Sequence, residues 1–492
     1  MNERGKSDSK VVPEKSPNNA RELAAEVMEG SALTEGNESQ LNERQTQSWE
    51  STKSKLQLIR ENARVDKEKQ FTALLHHVYN VDALKAAYFE LKKDAAPGVD
   101  HETWGSYGEG LQEKLENLSE RLKRGAYRAK AVRRVYIPKP DGTKRPLGIT
   151  AVEDKIVQRA TVEVLNAIYE VDFKGFSYGF RPGRNQHQAL DALFVAITEK
   201  KVNWILDADI RDYFGSIPFE NLIKFVEKRI ADKRVLRLIQ KWLNAGVLED
   251  GQTEYADKGA PQGASMSPLL ANIYLHYVYD QWILDWRKNE ACGEMIVVRF
   301  ADDTITGFQR KDDADKFMTD LGERFAQFGL ELHPKKTRLI EFGRSATKNR
   351  SERGEGKPET FTFLGFTHIC GKSRNGKFQL KRHTIGKKMR AKLEGLKREL
   401  RRRINEPIYA TGSWLNKVLH GHYQYYGVPL NFAAMNKFRH QIIVTWKRTL
   451  NRRSQRRGLT WEMMIKIATK WLPTPKIKHP YPNERFYRHH LR

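Results

Sequence analysis

Two adjacent aspartates, Asp302 and Asp303, have the residue type and setting to do chemistry. They follow an apolar, β-branched run at residues 297–300, and a second run with strand propensity, residues 304–308, follows them. This pattern predicts a β-hairpin that carries both carboxylates at its turn. Acidic residues at a turn are most often simply solvated, so the pair alone does not define a site.

A third acidic residue far upstream changes that interpretation. Residues 204–210 read as a strand with acids at alternating positions, Asp207 and Asp209, which therefore point to the same face. If this strand pairs antiparallel with the hairpin, Asp209 joins Asp302 and Asp303, while Asp207 is peripheral. Nucleotidyl transfer uses two divalent ions about 3.5–4 Å apart. Mg²⁺ prefers a few carboxylates together with substrate phosphates. The three aspartates therefore predict a site for two Mg²⁺ ions, with Mn²⁺ as a possible substitute.

The charge of the chain is concentrated at one end. The chain has 492 residues and a net charge of +26, with 87 Lys+Arg against 61 Asp+Glu. Residues 371–492 hold 30 Lys+Arg and 5 Asp+Glu, a net charge of +25, so the remaining 57 basic and 56 acidic residues nearly cancel. A segregated basic region predicts a polyanionic partner rather than a solubilising surface of mixed sign.

Composition and periodicity divide the chain into four predicted segments. Residues 1–54 are polar and predict a disordered N-terminal extension. Residues 55–370 form the second segment, in which residues 90–370 alternate strand and helix patterns and so predict an α/β or α+β unit. Within it the sequence predicts a hairpin over residues 132–149, a helix over 219–243 and a strand over 361–366. Residues 371–472 predict a basic helical segment, with an amphipathic helix from Ile385 to Ile404 and further helices over 414–426, 438–450 and 461–471. Residues 473–492 predict a basic, proline-rich tail, in which residues 473–482 should not form helix.

Targeting signals and cysteine usage constrain the compartment. The N-terminus lacks an apolar signal core, and no run approaches about 18 apolar residues. The two cysteines, Cys292 and Cys370, predict neither a disulfide framework nor a zinc cluster. We therefore expect a cytoplasmic protein with no membrane partner.

Ordered sequence blocks resemble those of a reverse transcriptase. The blocks are residues 134–145 (RVYIPKPDGTKR), 206–214 (LDADIRDYF), 260–263 (APQG), 300–303 (FADD), 334–337 (PKKT) and 363–366 (FLGF). More narrowly, about residues 55–485 resemble a group II intron-encoded reverse transcriptase/maturase. The further blocks that carry this resemblance are 97–100 (PGVD), 177–182 (SYGFRP), 420–426 (HGHYQYY) and 452–455 (RRSQ). The tail lacks the cysteine pairs of that family's nuclease domain, so we expect an endonuclease-lacking member.

The resemblance implies a fold and a catalytic set. It implies a right-hand polymerase, with fingers and an antiparallel palm sheet over residues 55–370 and a helical thumb/maturase domain over 371–472. The Mg²⁺-binding carboxylates would be Asp209, Asp302 and Asp303. Lys336, in preference to Lys335, would protonate the leaving pyrophosphate.

The resemblance also implies contacts to the substrates. The implied nucleotide-binding residues are Lys139, Arg145, Ile210, Phe214, Gln262 and Gly263. Among them, Lys139 and Arg145 would grip the triphosphate, and Phe214 would pack under the sugar and reject a 2′-hydroxyl. Leu364 and Gly365 match the primer-holding turn. Loops and helices that combine aromatic and basic side chains predict RNA contacts at Arg181, Arg184, Tyr425, Tyr426, Arg452 and Arg453.

Two departures from the family pattern concern the pocket. Asp212 and Tyr213 stand where Gly and Phe are common, so the pocket floor is expected to differ. Phe300 replaces a more frequent Tyr at the head of the aspartate motif, and the loss of one hydroxyl should leave metal binding intact.

The implied function is an RNA-directed DNA polymerase that extends a DNA primer on an RNA template with dNTPs. It would also bind its parent intron RNA to aid splicing and mobility, with target DNA as a further partner. Three alternatives stay open: a catalytically silent RNA-binding splicing cofactor, a polymerase that uses ribonucleotides, and a domesticated bacterial reverse transcriptase for defence or repair.

Overall fold

The computed structural model describes residues 43–138, 144–249, 252–259, 263–453 and 458–489. The chain divides into two compact units. Unit 1 comprises Met1–Ile168, Arg229–Asp257 and Pro261–Ser267; unit 2 comprises Tyr169–Lys228, Lys258–Ala260 and Pro268–Arg492. The predicted segment boundaries at residues 54, 370 and 472 stay predictions beside this division.

Helices account for a large part of the described residues, and a π-helical turn (His276–Asp280) joins two of them. In chain order they are α1 (Glu43–Val65), α2 (Leu75–Val78), α3 (Val81–Phe89), α4 (Trp104–Gly108), α5 (Leu111–Lys123), α6 (Val152–Asp172), α7 (Gln186–Glu199), α8 (Tyr213–Ser216), α9 (Phe219–Glu227), α10 (Lys233–Leu243), α11 (Ser267–Leu275), α12 (Gln281–Asn289), α13 (Lys311–Gln327), α14 (Ala346–Glu352), α15 (Gly386–Arg402), α16 (Ile408–Tyr426), α17 (Phe432–Asn451), α18 (Trp461–Trp471) and α19 (Pro482–His489).

Strands of the described residues form three sheets. In chain order they are β1 (Val132–Pro138), β2 (Lys144–Ile149), β3 (Trp204–Ala208), β4 (Val247–Glu249), β5 (Gln252–Glu254), β6 (Met295–Phe300), β7 (Asp303–Phe308), β8 (Arg338–Glu341), β9 (Phe361–Phe363), β10 (Phe366–Lys372) and β11 (Phe378–Thr384). The sheet orders are β2-β1-β4-β5, β6-β7-β3-β8 and β11-β10-β9.

Unit 1 contains the hairpin predicted from the basic block at residues 134–145. Strands β1 and β2 pair antiparallel, with Ile137 opposite Arg145. Strand β1 also pairs with β4, in parallel. The residues between these two strands, 139–143, include Lys139 and lie outside the described residues.

Unit 2 is built on the β6-β7-β3-β8 sheet, in which every neighbouring pair is antiparallel. The inward side chains of these strands, among them Ile205, Val298 and Ile305, join one hydrophobic core with residues of α7 such as Leu193. This core fixes the strands that carry the predicted catalytic residues, and the antiparallel pairing of β3 with the aspartate hairpin is confirmed.

A second core in unit 2 holds α15 to α18 together. It surrounds the fully buried Trp446 and includes Leu400, Leu419 and Phe438. The predicted basic amphipathic helix from Ile385 is α15, whose apolar stripe packs into this core and whose basic residues face outward. The helices predicted after it correspond to α16, α17 and α18.

The structure corrects four element boundaries. The single helix predicted over 219–243 is two helices, because Asp232 caps α10 and also accepts hydrogen bonds from the backbone of residues 74 and 75. The strand predicted over 361–366 bends at a turn between β9 and β10. Helix α1 begins at Glu43, ahead of the predicted boundary at 54; residues 1–42 lie outside the described part.

The fourth correction concerns the end of the proline-rich stretch, because residues 473–481 form no helix, as predicted, whereas Pro482 does not belong to the non-helical part. Helix α19 begins at Pro482, a favourable first helical position because its missing N–H would have no intrahelical partner. The described residues thus form a mixed α and β fold with an antiparallel central sheet. None of their helices combines the length and apolar character that crossing a bilayer requires.

Candidate active site

The register of the central sheet brings two of the predicted catalytic acids together. Strand β3 pairs with β7 so that Ala208 lies opposite Thr304. One position further toward that end of the sheet, Asp209 follows Ala208 and Asp303 precedes Thr304. Asp209 and Asp303 are therefore in register at the same end of the sheet. The backbone of Asp209 is also tied to the segment before Lys336, because the His333 N–H donates to the Asp209 carbonyl at 2.8 Å.

The third acid, Asp302, lies in the two-residue turn between β6 and β7, where Phe300 pairs with Asp303. The turn needs a left-handed backbone at Ala301, with φ of 56°. The backbone of the turn packs so closely against Gly179 that only glycine fits there, because a Cβ on Gly179 would come within 2.2 Å of the Ala301 nitrogen. The predicted hairpin with both carboxylates at its turn is therefore present, and a neighbouring loop packs directly against it.

The buried Arg299 stabilises this turn through hydrogen bonds. Arg299 is 0% exposed and donates two hydrogen bonds to the Asp280 carboxylate, at 2.7 and 2.5 Å. Its guanidinium also donates to the Ala301 carbonyl at 2.9 Å and to the Asn272 side chain at 3.1 Å. The Asn272 amide then donates to the Gly179 carbonyl at 2.7 Å. One network thus fixes the turn and the loop beside it.

This network was not predicted from the sequence. Two signals could have indicated it: Arg299 is a charged residue within a strand of otherwise apolar residues, and Asp280 is an acid within an apolar helical segment. Buried charges require a partner. The π-helical turn that ends at Asp280 is also a common feature of functional sites.

The clustered carboxylates perturb one another. Surrounding protein atoms and repulsion from Asp302 and Asp209 raise the pKa of Asp303 well above its usual value. Burial raises the pKa of Asp207 to about 6, an effect that Arg338, 3.8 Å from its carboxylate, opposes. Repulsion between close acids favours binding of a cation.

Lys336 is a cation that lies beside one of the predicted catalytic acids. Its ammonium lies 2.8 Å from the Asp209 carboxylate and is 62% exposed. Lys335, the alternative, donates its backbone N–H to the His333 ring at 3.3 Å. The ion pair of Lys336 with Asp209 is compatible with the preference for Lys336, whose role stays a prediction.

The oxygen donors fit Mg²⁺ in type but do not enclose an ion by themselves. Among the described residues, no three His, Cys, Asp or Glu side chains are close enough to hold a metal ion. Mg²⁺ commonly takes only one or two carboxylates and completes its shell with water and substrate phosphates. The pair in register, Asp209 and Asp303, together with Asp302 beside it, matches that donor set.

Phe214 lies in the short helix α8 that follows β3. Its ring packs edge-on against Phe180, 6.4 Å between centroids. Asp212, which precedes the helix, has a left-handed backbone with φ of 43°, and the Tyr213 hydroxyl donates to the Ala271 carbonyl at 2.5 Å. The departures at Asp212 and Tyr213 thus have structural roles: Asp212 makes the tight entry to α8, and Tyr213 makes a buried hydrogen bond. Ile210, just before the helix, is buried and bridges to Leu332.

Other predicted nucleotide-binding residues lie in unit 1. Arg145 is partly exposed on β2. Gly263 has φ of 111°, and a Cβ there would come within 2.6 Å of the Gly148 carbonyl oxygen, so only glycine allows this close approach. Lys139 and Gln262 lie outside the described residues.

The predicted primer-holding residues form the turn between β9 and β10. Leu364 and Gly365 both have positive φ, 44° and 81°, as in the tight turns that join antiparallel strands. The Tyr425 hydroxyl donates to the Leu364 carbonyl at 2.8 Å, and the Ile385 N–H donates to the Gly365 carbonyl at 3.1 Å. Tyr426 lies close as well, because a Cβ on Gly365 would come within 3.1 Å of its hydroxyl.

This placement changes the interpretation of several predicted RNA contacts. Tyr425 and Tyr426 pack against Phe366 and support the turn. Arg181 is only 4% exposed, and its donors go to Glu170 and to the carbonyls of residues 174 and 177. These positions argue for structural roles rather than the predicted contacts with RNA.

The remaining predicted RNA contacts are more accessible. Arg184 stacks over the Tyr178 ring at 5.2 Å. Arg452 and Arg453 are exposed at the end of α17, although the Arg453 guanidinium donates to the Glu406 carbonyl at 2.6 Å. Their contact with RNA stays a prediction.

Comparison with known proteins identifies the region that carries this site. Residues 137–368 match the family model described as "Reverse transcriptase (RNA-dependent DNA polymerase)". The matched region contains the acids, Lys336 and the turn at 364–365. It accounts for all of the central sheet and for the fold expected of a right-hand polymerase.

Curated relatives point to group II introns. The chain is 37% identical to Protein YkfC of Escherichia coli over 220 residues, which cover 41% of this chain and 57% of that protein. It is 36% identical to the group II intron-encoded protein LtrA of Lactococcus lactis subsp. cremoris over 233 residues, or 46% of this chain and 38% of that protein. It is 26% identical to nuclear intron maturase 4 of Arabidopsis thaliana over 183 residues, or 36% of this chain and 22% of that protein.

The matches therefore span little more than half of these relatives at most. Within that span they confirm the resemblance to group II intron-encoded reverse transcriptase/maturases that the motifs indicated.

Proposed function

From the match of residues 137–368 to the reverse transcriptase family model and the similarity to group II intron-encoded proteins, we propose that the chain is an RNA-directed DNA polymerase. It would extend a DNA primer on an RNA template with dNTPs. The observation that carries the proposal is the register of Asp209 with Asp303 at one end of the central sheet, beside Asp302 and with Lys336 on Asp209.

Mg²⁺ is the expected cofactor, with two ions held by Asp209, Asp302 and Asp303 and with Mn²⁺ as a possible substitute. When bound, the ions lower the pKa of the attacking 3′-hydroxyl and neutralise charge that develops on the phosphates. The protein contributes rigid placement of the acids. The network centred on Arg299 would hold Asp302 and Asp303 in position, and backbone pairing with His333 would hold Asp209.

Lys336 would supply the proton for the leaving pyrophosphate. A general acid must reach the proton acceptor, and the exposed ammonium beside Asp209 sits where the phosphates would lie. The Asp209 carboxylate holds the ammonium there before substrate arrives. Loss of the ion pair to a bound cation would free Lys336 to turn toward the leaving group.

The remaining substrate contacts follow the family pattern. Lys139, Arg145, Ile210, Gln262 and Gly263 would contact the incoming nucleotide. Phe214 would have a separate role, in which its ring excludes the 2′-hydroxyl of a ribonucleotide. The ring is partly exposed and packs against Phe180. Replacing Phe214 with Ala should raise incorporation of rNTPs relative to dNTPs, which would also separate this reading from that of a polymerase that uses ribonucleotides.

A second activity would reside in the basic helices. We propose fingers and palm over residues 55–370 and a thumb/maturase domain over 371–472, which would bind structured intron RNA and assist splicing and mobility. The net charge of +25 on residues 371–492 supports binding to phosphates that weakens as salt rises. Target DNA would be a further ligand of the same basic region.

The test compares two activities in one variant. Replacing Asp302 with Asn should abolish primer extension and leave RNA binding, measured by gel shift over a salt series, unchanged. Retained extension would refute the polymerase proposal. RNA binding without extension in the unaltered protein would favour the catalytically silent splicing cofactor. Extension without specific binding to structured intron RNA would favour a domesticated enzyme for defence or repair.

A further inference from the structure

The C-terminal segment 472–489, which we call the C-terminal strap, folds back along unit 2. Its extended part is held by backbone: the Lys478 and His479 N–H groups donate to the Gly427 carbonyl at 2.7 and 3.1 Å. Near its start, the Tyr423 hydroxyl and the Arg439 guanidinium donate to the Pro473 carbonyl at 3.3 and 3.0 Å. The strap is therefore a fixed part of the fold, although its composition predicts a tail.

A buried carboxylate anchors the far end of the strap. Asp191 on α7 is 1% exposed. It accepts a hydrogen bond from Arg485 of α19 and another, at 3.4 Å, from Arg382 of β11. Because Arg382 also pairs with Asp191, removing the Arg485 side chain would not leave a buried carboxylate without a counter-ion, which is the most costly change at such a site.

Two histidines continue the connection from Asp191 toward the end of α16. The Arg485 guanidinium lies 2.6 Å from His479 Nδ1, and His479 Nε2 lies 2.6 Å from the Gln424 carbonyl. These contacts are both satisfied by a neutral His479 that accepts at Nδ1 and donates from Nε2. The His479 ring stacks on His187 at 3.9 Å, and His187 packs against Tyr425 at 5.2 Å.

Tyr425 is the residue whose hydroxyl holds the Leu364 carbonyl. An unbroken chain of contacts thus runs from the Arg485–Asp191 pair, through His479 and His187, to the turn at 364–365. In that turn Leu364 has positive φ, a conformation that a residue other than glycine keeps only where its surroundings impose it. The position of the turn is therefore coupled to the seating of the strap.

We propose that the C-terminal strap is a positioning element for the turn at Leu364 and Gly365, and that Arg485 is its anchoring residue. Arg485 acts through His479 and Tyr425 and does not itself touch substrate. The inference rests on the proposed function, in which this turn holds the primer. Seating of the strap should therefore affect how tightly the enzyme holds a primer end, and not the chemistry at the three aspartates.

The first experiment does not depend on activity. In full-length protein, Arg485→Ala should speed amide hydrogen exchange in peptides that cover residues 361–366 and 472–481, by about tenfold. Tyr487→Phe is the matched control. Tyr487 lies on α19, like Arg485, and its hydroxyl donates to the Glu199 carboxylate of α7 at 2.6 and 2.7 Å, but this contact is not part of the chain of contacts to Tyr425. The control variant should leave exchange at 361–366 unchanged. Equal exchange at 361–366 in Arg485→Ala and unaltered protein would overturn the proposal.

The second experiment measures primer extension. Arg485→Ala should raise the KM for primer–template about tenfold while kcat and the KM for dNTP stay within about twofold, and Arg485→Lys should recover part of the loss. Tyr425→Phe should give a similar change, and the double variant should be no worse than the stronger single variant, because both break one chain. Additive losses, or a fall in kcat alone, would contradict the coupling.

The two experiments separate two failures. Absence of extension in the unaltered protein would count against the proposed polymerase, whereas the exchange measurement would still decide whether the strap positions the turn.

Discussion

Two turns of unit 2 place a residue other than glycine in the left-handed region next to a predicted substrate site, but they are stabilised in different ways. The aspartate turn, at Ala301 and Asp302, is held by the buried Arg299 and its carboxylate partner. The primer turn, at Leu364 and Gly365, is held by single hydrogen bonds from Tyr425 and Ile385.

This difference suggests how the two sites work. A turn fixed by a fully buried ionic network can keep metal-binding acids in one geometry, as preorganised catalysis requires. A turn held by one or two neutral hydrogen bonds, each contributing about 1 kcal/mol, can adjust to the primer and can be influenced from a distant part of the chain. The predictions below test that contrast, beginning with the largest expected effect.

Removing the charge below the aspartate turn should destabilise the protein most. Arg299→Met leaves Asp280 buried without its counter-ion, so we expect the free energy of unfolding to fall by about 3–5 kcal/mol, measured by urea denaturation. Arg299→Met combined with Asp280→Leu should recover much of that loss, since it removes both charges. A loss below about 1 kcal/mol in the single variant would show that the network is not what holds the turn.

Crowding the aspartate turn should impair catalysis. Gly179→Ala places a Cβ 2.2 Å from the Ala301 nitrogen, and this backbone contact cannot be relieved by a rotamer change. We expect displacement of the turn and a fall in kcat for primer extension of about 10²-fold. Gly175→Ala, in the same loop region with nothing within 4 Å of the added Cβ, is the control. Equal kcat values in the two variants would contradict the close approach.

Acid should weaken the helical core beside the primer turn. Burial lowers the pKa of His422, on α16, to about 3, below the ordinary value of 6.5. The unfolded state therefore binds the proton more readily than the folded state between those pH values, and stability falls as pH falls below about 6.5, by about 1.4 kcal/mol per pH unit. His422→Phe preserves the stacking on Phe438 and cannot bind a proton.

The measurement is the free energy of unfolding between pH 7 and pH 5 for both proteins. Averaged over this range, the slope for His422→Phe should be shallower by about 1 kcal/mol per pH unit, because the unfolded-state histidine is only partly protonated near pH 7. Identical slopes would mean that His422 is protonated equally in the folded and unfolded states.

The smallest change concerns the primer turn itself. Gly365→Ala adds a Cβ at φ of 81°, 3.1 Å from the Tyr426 hydroxyl, which should cost about 1 kcal/mol. We expect a few-fold rise in the KM for primer–template and an unchanged Mg²⁺ dependence. Gly376→Ala, at a similar φ in the β10–β11 hairpin with open space around it, should lower stability without raising that KM.

Local patterns in the sequence were sufficient to predict much of this structure. Strand alternation and turn residues predicted the aspartate hairpin and the β1–β2 hairpin, and apolar spacing predicted α15. These features depend on residues close together in the chain. The pairing of Asp209 with the hairpin followed only from the chemistry that three acids could perform together.

The rest depends on contacts between residues far apart in sequence. The partners of Arg299 are Asp280 and Asn272 in another element, and no local pattern pairs them. The break between α9 and α10 arises because Asp232 caps a helix and binds the backbone near residue 74. Arg485 pairs with Asp191, which lies almost 300 positions earlier in the sequence. No local pattern indicates this contact, so the sequence predicted only a tail where the structure shows the C-terminal strap.

The most direct test of the central claim compares two acids on the same face of the same sheet. Asp303→Asn and Asp207→Asn make the same chemical change, but only Asp303 lies in register with Asp209 at the proposed catalytic end. In single-turnover primer extension with saturating Mg²⁺ and dNTP, we predict a rate reduced by about 10³-fold or more for Asp303→Asn and within about threefold of the unaltered protein for Asp207→Asn. Equal rates in the two variants would contradict the assignment of the catalytic centre.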